Sequence, residues 1–90
     1  MDELDRLLNS VGKKVFVQYY ASFGDPRIPD SEVIERLTQD YTLKASRTRT
    51  SKARRIFREG RQREALQRIA DSERTDPEAT ALARRLLKDG

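Results

Sequence analysis

The chain has 90 residues, 36% hydrophobic and 38% charged, with 19 Lys and Arg against 15 Asp and Glu for a net charge of +4. A chain of this length buries only about 60–65% of its unfolded surface, which leaves room for one small domain, residues 1–90, around one modest core. Cysteine and histidine are both absent, which excludes disulfides, Cys/His zinc sites, catalytic thiols and every histidine-dependent acid/base scheme.

Leu4, Leu7, Leu8, Val11, Val15, Tyr19 and Phe23 step by three or four. That spacing predicts one long helix over residues 3–23 with an apolar face. Gly24, followed by Asp25 and Pro26, is the predicted stop. Four of the six aromatics lie between Phe16 and Phe23, and the helical spacing assigns them to the core rather than to a stacking platform for bases. Pro29, Asp30 and Ser31 then start a second helix over 31–40, with Val33, Ile34 and Leu37 as its buried side and Glu32 and Glu35 as ordinary acids near the positive end of its dipole.

Thr42 is positioned to cap a third helix running from Leu43 to Glu59. On a wheel of 100° per residue, Leu43, Ala53, Ile56 and Phe57 fall on one half and Lys44, Arg47, Arg54, Arg55 and Arg58 on the other. Arg49 points toward the apolar half, where its charge calls for an acid such as Glu32, Glu35 or Asp40. Gly60 ends this helix. A fourth helix covers 61–72 through Ala65, Leu66, Ile69 and Ala70. Thr75-Asp76-Pro77-Glu78 has the spacing of a capping box and opens a fifth helix over 76–88, whose stripe of Ala79, Leu82, Ala83, Leu86 and Leu87 either closes the core or meets a partner helix. The expected fold is all-α, four or five helices in a single domain, with a helix-turn-helix-like unit at 31–59.

The charge is unevenly placed. Residues 1–43 carry five basic and eight acidic side chains and residues 64–90 five and six, whereas residues 44–63 carry nine basic side chains against Glu59 alone, net +8. Seven of those nine are Arg, whose planar fork suits phosphates and base edges. A surface built only for solubility would mix the signs, so the segment points to a polyanionic partner.

Within it, the run from Thr42 to Glu59, with Arg49, Ser51, Lys52, Ala53, Arg54, Arg55 and Phe57 in place, resembles the recognition helix of the region-4 domain of sigma factors. In that family a Ser or Thr caps the helix and an Arg-x-Ser-Arg-Ala-Arg-Arg-x-Leu pattern follows. The resemblance implies that Lys44, Ser46 and Arg47 face base edges, with Arg54, Arg55 and Arg58 nearer to phosphates. Thr38-Gln39-Asp40-Tyr41 stands where the family has a tight turn with Gly. The sites expected to bind nucleic acid are therefore Lys44, Ser46, Arg47, Ser51, Arg54, Arg55, Arg58 and Arg61.

The expected function is a nucleic-acid-binding module acting on duplex DNA, in the manner of a transcriptional regulator, with four or five phosphate contacts giving a salt slope near about −4. The alternative is a small interaction or regulatory module whose basic helix docks an acidic protein surface; a homodimer fits either. The glycines form neither a P-loop nor a dinucleotide fingerprint, and no nucleophile stands with a base, so no enzyme, cofactor or metal is expected. No apolar run approaches the roughly 20 residues of a membrane span, and the opening Asp2, Glu3 and Asp5 are unlike a secretion signal; the expected location is the cytoplasm, with no membrane partner.

Overall fold

The computed structural model describes residues 2–89. Seven α-helices follow in order: α1 (Glu3–Val11), α2 (Lys13–Gln18), α3 (Tyr20–Gly24), α4 (Asp30–Leu37), α5 (Leu43–Arg58), α6 (Gln62–Ala70) and α7 (Pro77–Asp89). The described residues form no strand. None of the helices is long and apolar enough to cross a membrane.

The first predicted helix is three helices, which raises the count from five to seven. Asp2 opens α1 by accepting from the Asp5 backbone N–H at 3.0 Å. Gly12 then takes φ +91, a left-handed conformation that glycine adopts without steric penalty, and Tyr19 breaks the chain again at φ −107, ψ 19. A straight helix over 3–23 would be about 30 Å long, matching the molecule's longest extent of 31 Å. Broken, it wraps the core instead: α1 and α3 pack on α5, and α2 packs on α7. Val15, Phe16 and Val17 are consecutively buried because α2 is covered by α1, α3 and α7. The aromatics do enter the core, with Phe16 and Phe23 buried and Tyr19 and Tyr20 packed at its edge.

Gly24 is the last residue of α3 and does not adopt positive φ. Its role is close approach: a Cβ there would fall 2.7 Å from Phe57 Cε1. The second predicted helix is the shorter α4, begun by Pro29. Val33 and Leu37 are buried as expected, whereas Ile34 is only half-buried. Tyr41 N–H donates to the Leu37 carbonyl at 2.9 Å, closing the turn that leads to α5.

Thr42 caps α5 as predicted, its hydroxyl accepting from Ala45 N–H at 3.2 Å. At the other end Gly60 takes φ +69, Gly60 N–H donates to Phe57 O and Arg61 N–H to Ile56 O, each at 3.0 Å. This is the Schellman pairing, which satisfies carbonyls that a helix end leaves without partners. The start of α7 departs from the predicted capping box. Asp76, not Thr75, accepts from Glu78 N–H at 2.9 Å, while Thr75 Oγ1 donates to Ser72 Oγ at 2.6 Å. Ala79 and Ala83 are buried, Leu82, Leu86 and Leu87 pack at the core's edge, and α7 lies on α6 and α2. The apolar stripe of α7 therefore closes the core.

Candidate nucleic-acid interface

The basic helix α5 divides its side chains by angle. Ser46, Thr50, Ala53 and Ile56 are buried against α1 and α4, on which the helix packs. Lys44, Arg47, Thr48, Ser51 and Arg58 are exposed on the opposite side, at the three- and four-residue spacing that forms one stripe. Thr48, which sequence reasoning did not single out, lies in this stripe beside Lys44; its wheel angle was the available signal. Leu43, expected to pack, is 51% exposed beside Ile34, Thr38 and Arg47, where these residues line a shallow depression of about 310 Å³.

The eight residues expected to bind nucleic acid do not form one surface. Ser46 is fully buried, so its hydroxyl cannot reach a base. Arg54 is only 17% exposed and is consumed by the fold. Its Nη2 donates to the carbonyls of Ser22 and Asp25 at 3.2 Å each and of Ile28 at 2.6 Å, and its Nη1 lies 3.2 Å from an Asp30 carboxylate oxygen. Arg55 is half-buried, pairing with Glu59 at 2.7 Å and with Glu3 on α1. Arg61 is bidentate to Glu64, at 3.2 and 3.0 Å. The pKa of Arg55 is raised chiefly by its Glu59 hydrogen bond and that of Arg61 by its Glu64 bond.

Two further cations of the basic segment are also engaged. Arg49 takes none of the predicted acids; its Nη1 donates to the Val11 carbonyl at 2.6 Å and its guanidinium lies 4.5 Å from the centre of the Tyr41 ring. Arg63 donates to the Leu87 carbonyl at 3.1 Å. Among the described residues, the side chains of Lys44, Arg47, Lys52 and Arg58 form no hydrogen bond or ion pair, and the Lys44 carbonyl accepts from the Thr48 hydroxyl at 3.2 Å. Lys44 and Arg47 stand in the first turns of α5 and Arg58 in its last, which at 1.5 Å per residue spreads them over about 20 Å. Ser51 lies exposed between them. Lys44, Arg47 and Arg58, unneutralised along one stripe with the exposed Ser51 hydroxyl between them, are suited to contacting anionic oxygens along a groove.

Comparison of the chain with protein-family models, with curated proteins and with solved structures finds no match.

Proposed function

We propose that the chain is a nucleic-acid-binding module that lays α5 against duplex DNA, with a role in regulating transcription. The observation that carries this reading is that Lys44, Arg47 and Arg58 stand exposed along one stripe of α5 and their side chains pair with no acid among the described residues. The arrangement of α4 and α5, packed on each other and joined by residues 38–42, supports a helix-turn-helix-like unit with α5 as the outer helix. Lys44, Arg47, Thr48 and Ser51 lie toward base edges and Arg58 toward a phosphate. With three or four free cations, the salt slope is about −3 rather than the −4 expected from sequence.

The test is fluorescence anisotropy of labelled random duplex and single-stranded oligonucleotides, titrated between about 50 and 200 mM salt. The expected result is duplex binding that weakens steeply with salt, with the double variant Lys44→Ala/Arg47→Ala reducing the slope by about two. Absence of duplex binding at the lowest salt overturns the reading. The half-exposed Ile34 and exposed Leu43 beside Arg47 favour an acidic, partly apolar protein surface as the second reading. Under that reading, pull-downs recover one acidic protein after nuclease treatment.

A further inference from the structure

At the far end of α5, where α3, the start of α4 and the first turn of α6 converge, lies a recess of about 440 Å³ bordered by Pro26, Asp30, Arg54, Phe57, Arg58 and Gln62. Its volume is within the range of small-molecule sites. Three polar groups on the residues that border it are uncommitted, and each has a different demand. Arg54 spends both terminal nitrogens on carbonyls and Asp30, yet its buried Nε has no acceptor in the chain. Arg58 is exposed and forms no ion pair among the described residues. The buried Oε1 of Gln62 has no donor. A buried polar atom without a partner costs free energy, so Nε of Arg54 and Oε1 of Gln62 mark places for one acceptor and one donor.

The remaining wall, formed by Phe23, Gly24, Pro26 and Phe57, is apolar. The Phe57 ring borders this recess and also the adjoining one beside Tyr20 and Arg27. The negative charge of Asp30 is turned toward Arg54 Nη1, which leaves Arg58 as the unopposed charge at the opening. A complementary ligand therefore combines an anionic oxygen group, a planar ring and an N–H donor.

We propose that this recess binds a nucleoside monophosphate. The phosphate accepts from Arg58 and the base lies against Phe57 and Pro26, while a small shift of the Arg54 and Gln62 side chains, whose Nε and Oε1 are buried without partners, lets Nε donate to the phosphate and Oε1 accept from an amino or imino group of the base. A free nucleotide and the phosphorylated first nucleotide of a strand present the same chemistry. The site stands apart from the duplex reading of α5, with which it shares only Arg58.

Calorimetric titration with AMP, adenosine, inorganic phosphate and a short single strand, with and without a phosphate on its first nucleotide, tests the proposal. The Arg54 Nε–H resonance is followed in parallel. Saturable AMP binding that shifts this resonance, and that Gln62→Leu and Arg58→Ala each weaken by about tenfold, is the expected result. Stronger saturation by the phosphorylated strand than by AMP identifies the strand terminus as the source; equal or stronger binding of AMP identifies the free nucleotide. Inorganic phosphate binding as tightly as AMP, adenosine matching AMP, or an Arg54 resonance that does not move overturns the proposal. Unchanged thermal unfolding of Gln62→Leu keeps a folding defect from being read as lost binding. That variant retains duplex binding, so failure here and failure of the duplex reading are separately visible.

Discussion

The guanidinium of Arg49, in the middle of α5, donates to the main-chain carbonyl of Val11, the last residue of α1, at 2.6 Å. That carbonyl is one of the four that a helix terminus leaves without an internal partner, and α1 has no basic residue of its own in its last turn. The charge from α5 therefore supplies both the missing donor and the cation favoured by the negative end of the α1 dipole. Stacked at 4.5 Å on Tyr41, the same side chain also fixes the turn before α5. Arg49→Ala is expected to lower unfolding free energy by about 2–3 kcal/mol, from a charged hydrogen bond and a cation–π contact. Arg49→Lys recovers only part, because an ammonium lacks the planar stacking face. Urea unfolding of the three proteins measures both.

Gly12 belongs to the same arrangement. A Cβ on it would require a strained backbone at φ +91 and would fall 2.7 Å from Arg49 Nη1. Gly12→Ala is expected to destabilise by about 1–2 kcal/mol, and in the double variant with Arg49→Ala the two losses sum to less than their separate values, since one clash and one contact disappear together. Additive losses in a double-mutant cycle contradict this coupling.

The buried face of α5 carries two hydroxyls, Ser46 Oγ and Thr50 Oγ1, and neither has a hydrogen-bond partner among the described residues. Both residues are essentially inaccessible, 0% and 1% exposed, so their desolvation is uncompensated. Thr50→Val, which keeps the branched shape, and Ser46→Ala are each expected to leave stability unchanged or raise it by up to about 1 kcal/mol. A loss of more than that in chemical unfolding would sink the argument.

These residues also show how far the sequence could be read. The cap at Thr42, the extent of α5 and the stop at Gly60 were legible because each depends on neighbours in the chain. The break at Gly12 was not. A glycine inside a helix costs only about 1 kcal/mol, and the apolar stripe from Leu4 to Phe23 suits a continuous helix. The break is settled by packing of α2 on α7 and by Arg49, which is remote in sequence. For the site, the wheel placed Lys44, Arg47 and Arg58 on the exposed side of α5 but set the exposed Leu43 on the packed half and the largely buried Arg54 on the charged one, and it gave no sign of which charges the fold neutralises. Arg54 sits at the edge of that half, and its partners Ser22, Asp25 and Ile28 are 26–32 residues away. Ser46 and Thr50 read as polar, yet their small size suits a close helix contact.

Arg54 consequently separates structure from binding. Its guanidinium ties the segment between α3 and α4 to α5, so Arg54→Ala leaves three carbonyls without their donor and is expected to cost about 2–3 kcal/mol of stability. Arg58→Ala, on an exposed side chain, is expected to change stability by less than about 0.5 kcal/mol while reducing the salt slope for duplex DNA by about one. Thermal unfolding beside salt-dependent anisotropy distinguishes them: a destabilised Arg58→Ala, or an Arg54→Ala that alters only binding, would reverse the assignment.

Acid sensitivity is concentrated where α1 meets α6. Arg68 Nη1 lies 2.7 Å from Asp2 and 3.0 Å from Asp5, and Nη2 lies 2.6 Å from Glu64. The carboxyl of Asp2 is held well below its ordinary pKa, first by the Arg68 hydrogen bond and then by the Asp5 backbone N–H. Glu64 is lowered chiefly by Arg61, Asp25 by Arg27 and Asp76 by the Glu78 backbone N–H. A carboxylate with a depressed folded pKa stabilises the fold at pH values above its unfolded pKa and loses that contribution as pH falls through the folded value. Stability is therefore expected to decline below about pH 4. At the alkaline end, burial raises Tyr19, assisted by its bond to Asp40, and Tyr20; stability present below the unfolded tyrosine pKa, near about 10, is lost as pH rises through the folded values. The melting temperature should thus be level between about pH 5 and 9 and fall on both sides. Arg68→Ala should flatten the acid limb, because Asp2 and Glu64 then titrate closer to their unfolded values. High salt should flatten it too, since these exposed pairs are screened. An acid limb unchanged by Arg68→Ala would place the acid-sensitive groups elsewhere.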